Sequence, residues 1–190
     1  MRALVVTASN RAAAGVYEDR GGPVIVESLR SVGFQVDGPQ VVPDGEPVAA
    51  ALRAAVDADY DVVISTGGTG LTPGDLTPEM TRAVIDREIP GIAEAIRAYG
   101  VAQGVPTAVL SRGLAGMARR TLVVNLPGST GGVRDGMEVL GPILVHAVEQ
   151  ASGGDHPAEV APTASPATQP TGTESAGAEP TGAASTGGDR

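Results

Sequence analysis

A glycine-rich loop, residues 65–79, holds the residue types best suited to chemistry. It lies between a strand pattern and a helix pattern, and Asp75 is the only charged residue before its last position. Glycine lets the backbone approach a ligand closely and adopt positive φ angles. Backbone N–H groups at such a strand-to-helix turn bind anions, most often phosphates. The sequence therefore predicts a phosphate-binding loop that includes Thr66, Gly67, Gly68, Thr69 and Gly70.

The glycine-rich loop fits neither of the two common nucleotide-binding fingerprints. The chain contains no Lys for a P-loop and no Gly-x-Gly-x-x-Gly. Two interpretations are open from the residues alone: a phosphate-binding loop of another type, or a flexible surface loop without a ligand. The loop's length favours the first, because strand-to-helix connections usually take roughly two to six residues.

Other candidate residues follow other predicted strands. Ser9 begins a segment rich in glycine and charge. This segment is either a second ligand-contacting loop with Arg11 or Ser9 near a phosphate, or a solvated loop in which Asp19 caps the next helix. Asp44 is either the N-cap of the following helix or a second carboxylate that faces Asp75. Two such carboxylates suit a hydrated Mg²⁺ that bridges substrate phosphates. Two further loops contribute Ser111, Pro127, Gly128 and Ser129, the last at a helix N-terminus.

Strand and helix patterns alternate along the chain and predict a three-layer, doubly wound α/β fold with a mostly parallel sheet. In such sheets ligands bind at the carboxyl ends of the strands, where all the candidate segments lie. Thr77 is the expected N-cap of a helix, and the last helix is expected to bend or restart at Pro142. The predicted strands are 3–7, 34–42, 61–64, 107–110 and 121–125, and the predicted helices are 23–31, 47–58, 78–86, 91–103 and 129–150.

Composition excludes several classes of function. The 190 residues carry a formal net charge of −9, which disfavours nucleic-acid binding. There is no Cys, which excludes disulfides and thiolate nucleophiles. There are only two His, too few for a metal site built mainly from histidine. No stretch is long enough to cross a membrane and no secretory pattern is present, so we expect a cytoplasmic protein. Residues 1–150 form the predicted domain, whereas residues 151–190 predict a disordered tail, with a linker as the alternative.

Taken together and in this order, the candidate segments resemble the MogA/MoaB family of molybdenum cofactor biosynthesis proteins. The resemblance covers roughly residues 2–150. Five segments carry it. They are residues 9–11 together with Gly15 and 19–23; Asp44; residues 66–70 together with Asp75 and 77–79; residues 111–112 together with 115–116; and residues 125–129.

The resemblance implies an activity and a set of site residues. Family members are similar to a doubly wound α/β domain that forms a trimer. The enzyme branch uses Mg²⁺ and ATP to adenylate the terminal phosphate of molybdopterin, releases pyrophosphate, and supplies a molybdate-insertion protein. By motif, Asp44 and Asp75 match the essential acids and candidate Mg²⁺ ligands. Residues 66–70 match the phosphate-contacting loop, and Ser9, Ser111, Pro127, Gly128 and Ser129 match pterin or phosphate contacts.

The sequence departs from the family pattern at two places. Thr130 and Gly132 stand where the family often has Pro followed soon by Ala, and Asn10 stands where an acidic residue is usual. Two rival hypotheses are a non-catalytic MoaB-like paralogue that binds molybdopterin, and a trimeric scaffold subunit that presents the cofactor. The presence of both Asp44 and Asp75 favours the enzyme.

Overall fold

The structure, a computed structural model, describes residues 1–153. Its strands are β1 (Arg2–Ala8), β2 (Gln35–Val42), β3 (Val62–Thr66), β4 (Arg87–Glu88), β5 (Ala115–Ala118) and β6 (Thr121–Leu126). Its helices are α1 (Asn10–Ala13), α2 (Gly21–Ser31), α3 (Glu46–Asp57), α4 (Thr77–Arg82), α5 (Pro90–Ala102) and α6 (Thr130–Ala151), with a 3₁₀ helix at Pro106–Leu110.

The strands form one sheet in the order β2-β1-β3-β6-β5-β4. The first four are parallel to one another. On one side of the sheet β5 pairs antiparallel with β6, and β4 pairs antiparallel with β5. Thr7 pairs with Thr66, and Thr66 pairs with Leu126, so three strands end level with one another. We call the edge where the parallel strands end the rim. The predicted mostly parallel α/β fold is confirmed.

Helices cover both faces of the sheet because its central strands are apolar on both sides. All residues of β3 and β6 are buried. Val62 and Ile64 face a core that includes residues of α2, α5 and α6, whereas Val63 faces a second core with residues of α3. This alternation follows from the two-residue period of a strand and produces the three predicted layers.

The predicted strand at 107–110 is wrong, because Pro106–Leu110 is a 3₁₀ helix. Val109 and Leu110 are exposed rather than paired in a sheet. The two strands that lie beyond β6 in the sheet, β5 and β4, are only four and two residues long, which is too short for a period to show. Because β5 is antiparallel to β6, the segment that precedes β5 still enters the sheet at the rim.

The last helix continues through Pro142 without the predicted restart. Leu140 and Leu144 flank the proline and both are fully buried in the same core, so packing holds the two halves on one face. The predicted tail lies outside the described residues apart from its first three, of which Ala151 ends α6. Within residues 1–153, no helix combines the length and apolar character that a membrane crossing requires.

Candidate functional site

Two pockets lie at the rim, on either side of the glycine-rich loop. The first has a volume of ≈ 350 Å³ and the second ≈ 390 Å³. They share Gly68, Asp75 and Gly128. The first also takes in Ser9, Asp44, Thr66 and Gly67, and the second takes in Thr69, Gly70, Ser111, Pro127 and Ser129, so the structure brings all the predicted site residues together.

The glycine-rich loop turns sharply because two of its glycines have no room for a side chain. Gly67 and Gly68 adopt φ angles of 92° and 62°. A Cβ on Gly67 would collide with the carbonyl oxygen of Ala8, and one on Gly68 would collide with Asp44 and Thr77. The backbone N–H of Thr77 donates to the carbonyl of Gly68 at 3.1 Å and closes the loop.

Asp44 joins the end of the glycine-rich loop to the turn before α3. Its Oδ2 accepts the backbone N–H of Leu76 at 3.1 Å, and its Oδ1 accepts the hydroxyl of Thr77 at 3.1 Å. The N-cap of α3 is Gly45, which has no side-chain cap bond, so the interpretation of Asp44 as that cap is wrong. Thr77 is not an N-cap either, because its hydroxyl serves Asp44 and the N-cap of α4 is Leu76.

Asp75 presents a half-buried carboxylate to both pockets. Its Oδ2 accepts the backbone N–H of Thr72 at 2.9 Å and the hydroxyl of Thr72 at 2.7 Å. Oδ2 accepts both of these bonds, so the turn at Thr72 fixes the orientation of the side chain. The other carboxylate oxygen, Oδ1, takes part in neither bond. A Cβ on Gly70 would lie 2.9 Å from Asp75 Oδ2, so a side chain at residue 70 would displace this carboxylate.

Two carboxylates at the rim match the ligands that Mg²⁺ requires. Mg²⁺ is usually held by one or two carboxylates, with substrate phosphates and waters completing its shell. Asp44 and Asp75 line the same pocket and supply such a pair. Within residues 1–153, no group of three or more His, Cys, Asp and Glu side chains could hold a metal ion. The residues therefore fit a Mg²⁺ that arrives with a phosphate substrate.

Several polar residues at the rim cap helices. Ser9 Oγ accepts the backbone N–H of Ala12 at 3.1 Å and caps α1, and Ser129 Oγ likewise accepts from Gly132 at 3.1 Å at the start of α6. Asp19 Oδ1 accepts the N–H groups of Gly21 and Gly22, each at 3.0 Å, at the start of α2. These bonds support the predicted role of Asp19 at the start of α2, although the N-cap residue itself is Arg20. Ser9 and Arg11 of the same segment line the first pocket, so the segment also faces the candidate site.

A buried polar cluster supports the site from below. The side-chain amide of Asn125 donates to the hydroxyls of Ser65 and Thr81, both at 2.9 Å, and its oxygen accepts the N–H of Leu114 at 3.3 Å. The cluster ties β3, α4 and β6 together beneath the glycine-rich loop. Unsatisfied polar groups would be costly in this position, and among residues 1–153 every buried side-chain N or O atom has a partner.

Sequence reasoning gave no role to Arg112, although it belongs to one of the segments that carry the resemblance. Its Nε donates to the carbonyl of Gly70 at 2.7 Å, and its Nη1 is paired with Glu79. The hydrogen bond from Arg112 is the largest cause of a lowered pKa at Glu79. The contacts join residues 33 and 42 positions apart, so no local pattern could have revealed them.

Comparison with known proteins identifies the family. Residues 4–146 match the model described as the probable molybdopterin binding domain of molybdenum cofactor biosynthesis proteins. The chain belongs to this family. The resemblance found in the sequence motifs is therefore confirmed.

Three relatives of this molybdopterin-binding domain show how the match extends. The chain spans about half the length of the "Molybdenum cofactor biosynthesis bifunctional protein" of Chlorobaculum tepidum, with 35% identity over 82% of this chain and 50% of that protein. It is 35% identical to the "Molybdopterin adenylyltransferase" of Escherichia coli K12, covering 78% of this chain and 80% of that one. The solved structure of the molybdopterin biosynthesis Mog protein from Mycobacterium ulcerans is 53% identical, with a TM-score of 0.75 over 79% of this chain and 98% of that one.

The crowding at Gly68 predicts that this molybdopterin-binding domain does not accept alanine there. We expect Gly68→Ala to lower the free energy of unfolding by roughly 1–3 kcal/mol, because alanine would be strained at this φ and would displace Asp44. Gly74→Ala is the matched control in the same loop, since its Cβ would meet no atom within 4 Å. Urea unfolding of the full chain measures both, and equal effects of the two variants would contradict the close contact.

The ion pair of Arg112 with Glu79 predicts a pH dependence of stability. Because the pKa of Glu79 is lower in the folded chain, the pair stabilises the fold above the unfolded pKa. This contribution is lost as the pH falls through the folded pKa. We expect the wild-type protein to exceed Glu79→Gln in stability near neutral pH, and the difference to shrink in acid. Urea unfolding at a series of pH values measures it, and a difference that grows on acidification would refute the pair's role.

Proposed function

We propose that this protein is a molybdopterin adenylyltransferase. It transfers the AMP group of ATP to the terminal phosphate of molybdopterin and releases pyrophosphate. The observation that carries the proposal is the meeting of two pockets along the glycine-rich loop, with Gly68, Asp75 and Gly128 common to both. A reaction between two phosphate-bearing substrates requires such a shared boundary. The name of the Escherichia coli relative supports the same activity.

The character of each pocket suggests which substrate it receives. Arg11 and Arg20 line the first pocket beside Asp44 and Asp75, and guanidinium groups suit the triphosphate of ATP. The second pocket contains Leu110 and Pro127, and an adjoining cavity of ≈ 330 Å³ adds Ile96 and Val105. These apolar surfaces suit the flat ring system of the pterin. The two phosphate groups then meet at Gly68.

The proposed reaction is a direct displacement at phosphorus. An oxygen of the molybdopterin phosphate attacks the α-phosphorus of ATP and forms a new phosphorus–oxygen bond. The bond from that phosphorus to the bridging oxygen breaks, and pyrophosphate leaves with the electron pair. Since the attacking phosphate oxygen is already a nucleophile, the step requires positioning and charge stabilisation rather than a Cys or His.

The side chains at the rim would then hold the two substrates in line. Backbone N–H groups and hydroxyls of residues 66–70 bind phosphate oxygens, and Ser111 and Ser129 orient the pterin side. Asp44 keeps the loop in place through Leu76 and Thr77. Asp44 and Asp75 are the groups that would hold Mg²⁺, which neutralises phosphate charge when bound. A reaction that consumes ATP is expected in the cytoplasm, and its adenylated product suits a molybdate-insertion protein as the next partner.

Substitution of Asp75 tests the proposed activity. We expect Asp75→Asn to lower turnover of molybdopterin with Mg²⁺ and ATP by about 100-fold, because a charged group at the phosphates is lost. Asp57→Asn is the control, since Asp57 is exposed and paired with Arg119 outside both pockets. Pyrophosphate release and nucleotide transfer to the pterin provide the measurement.

Three outcomes of this assay separate the hypotheses. Loss of turnover in Asp75→Asn alone, with circular dichroism unchanged, supports the proposed enzyme. Full activity of Asp75→Asn removes Asp75 from the mechanism. A wild-type protein that binds molybdopterin but yields no product under any metal condition is the non-catalytic paralogue or the scaffold subunit.

We also propose that the protein is a homotrimer, as the family resemblance implies. Exposed apolar side chains at the end of α5 and beyond it, Val101 and Val109, lie outside the substrate pockets and support association through this region. Sedimentation velocity of the full chain is expected to give three times the 18.9 kDa of one chain. A single species of one chain mass at micromolar concentration would refute the trimer.

A further inference from the structure

We propose that Arg112 is a positioning residue that fixes the glycine-rich loop in its phosphate-binding conformation. It does so by holding three backbone carbonyls on the side of the loop opposite the substrates. This inference rests on the proposed adenylyl transfer for its effect on turnover. Its structural part, the ordering of the loop, is independent of that reaction.

Arg112 contacts the backbone of the glycine-rich loop at two places, residues 69–70 and residue 75. Its backbone N–H donates to the carbonyl of Thr69 at 2.9 Å, and its Nε donates to the carbonyl of Gly70 at 2.7 Å. Its Nη2 donates to the carbonyl of Asp75, and its Nη1 is paired with Glu79. The planar guanidinium presents its donors in a rigid fork, so the side chain holds the carbonyls of Gly70 and Asp75 at a fixed separation.

The geometry of the peptide bond converts these contacts into an arrangement of donors. In a planar trans peptide the C=O and the following N–H point in opposite directions. With the carbonyls of residues 69, 70 and 75 turned toward Arg112, the N–H groups of Gly70, Leu71 and Leu76 point away from it. The N–H of Leu76 donates to Asp44 Oδ2 at 3.1 Å, as this geometry requires.

Arg112 and Asp44 therefore hydrogen-bond to the peptide unit between Asp75 and Leu76 from opposite sides, Arg112 to its carbonyl and Asp44 to its N–H. The other two donors, at Gly70 and Leu71, are consecutive, and neither has an acceptor among residues 1–153. Both residues line the second pocket. Consecutive N–H groups turned the same way form an anion-binding concavity, so Arg112 aims two donors at a phosphate.

The position of Arg112 distinguishes this role from direct contact with a substrate. The described residues that line the two substrate pockets do not include Arg112. It lines a separate pocket of ≈ 270 Å³, together with Arg82 and Glu88. Arg97 steadies the turn that carries it, donating to the carbonyls of Ser111 at 3.3 Å and Gly113 at 3.1 Å.

A simpler role for Arg112 would be a surface ion pair with Glu79 that adds only stability. The two roles predict different results for lysine at this position. An ion pair alone would be restored in Arg112→Lys, because the charge is kept. Positioning would not be restored, because the single ammonium nitrogen of lysine cannot replace the separate Nε and Nη2 donors that reach the carbonyls of Gly70 and Asp75.

The experiment uses the full chain with Arg112→Ala, Arg112→Lys and the control Arg82→Ala. Arg82 lines the same separate pocket and is paired with Glu88, but it bonds no loop carbonyl. Amide hydrogen exchange of residues 67–77 is measured without substrates, and kcat and KM are measured with molybdopterin, ATP and Mg²⁺. Millimolar guanidinium is added to Arg112→Ala, since the native side chain is 34% exposed and its place is open to solvent.

We expect exchange in residues 67–77 to be roughly tenfold faster in both Arg112 variants and unchanged in Arg82→Ala. We expect kcat to fall by about 100-fold in both Arg112 variants, because a misplacement of about 1 Å costs that much. The fall in kcat should exceed any change in KM. Guanidinium should partly restore Arg112→Ala.

Two results would overturn the proposal. Unchanged loop exchange in Arg112→Ala shows that the arginine does not order the loop. Full activity in Arg112→Lys shows that charge alone is needed. An inactive wild-type protein would count against the adenylyl transfer only, since the exchange measurement still decides whether Arg112 positions the loop.

Discussion

The contact between Asp44 and the glycine-rich loop is the interaction on which the rest of the site depends. The carboxylate holds the N–H of Leu76 and the hydroxyl of Thr77, and it occupies the space where a side chain on residue 68 would stand. A glycine is therefore required at that position, and its positive φ sets the turn. The turn in turn places Gly68 and Asp75 on the boundary of both pockets.

The sheet makes this contact possible because three parallel strands end level with one another. The register that pairs Thr7 with Thr66 and Thr66 with Leu126 brings their following loops to one rim. The hydroxyl of Thr66 donates to the carbonyl of Pro127 at 2.7 Å and fastens two of those loops together. The hydrogen bonds of the cluster around Asn125 join β3, β6 and α4, and these elements anchor loops that have no regular structure of their own.

The proposed phosphate site contains few positive side chains. The chain has a net charge of −9 and no lysine, and the glycine-rich loop contributes donors from its backbone instead. Arg112 is used behind the loop, where it orients peptide groups, rather than in front of it. A phosphate bound in this way is recognised by dipoles that are already oriented, and such dipoles need little reorganisation during a reaction.

The sequence by itself determined the α/β architecture and the residues at the rim. Apolar strands, helix periodicity and glycine clusters are local signals, and they placed Gly67, Gly68 and Asp75 at the rim, where the structure has a pocket. Local signals could not predict which groups Asp44 bonds to, that Thr77 follows the N-cap of α4, or that Arg112 bonds to the carbonyl of Gly70. Those depend on bonds between segments more than 30 positions apart, which exist only once the parallel strands have set which loops meet. Only the tertiary structure could therefore show that a residue resembling a helix cap holds the loop, and that an arginine holds it from the other side.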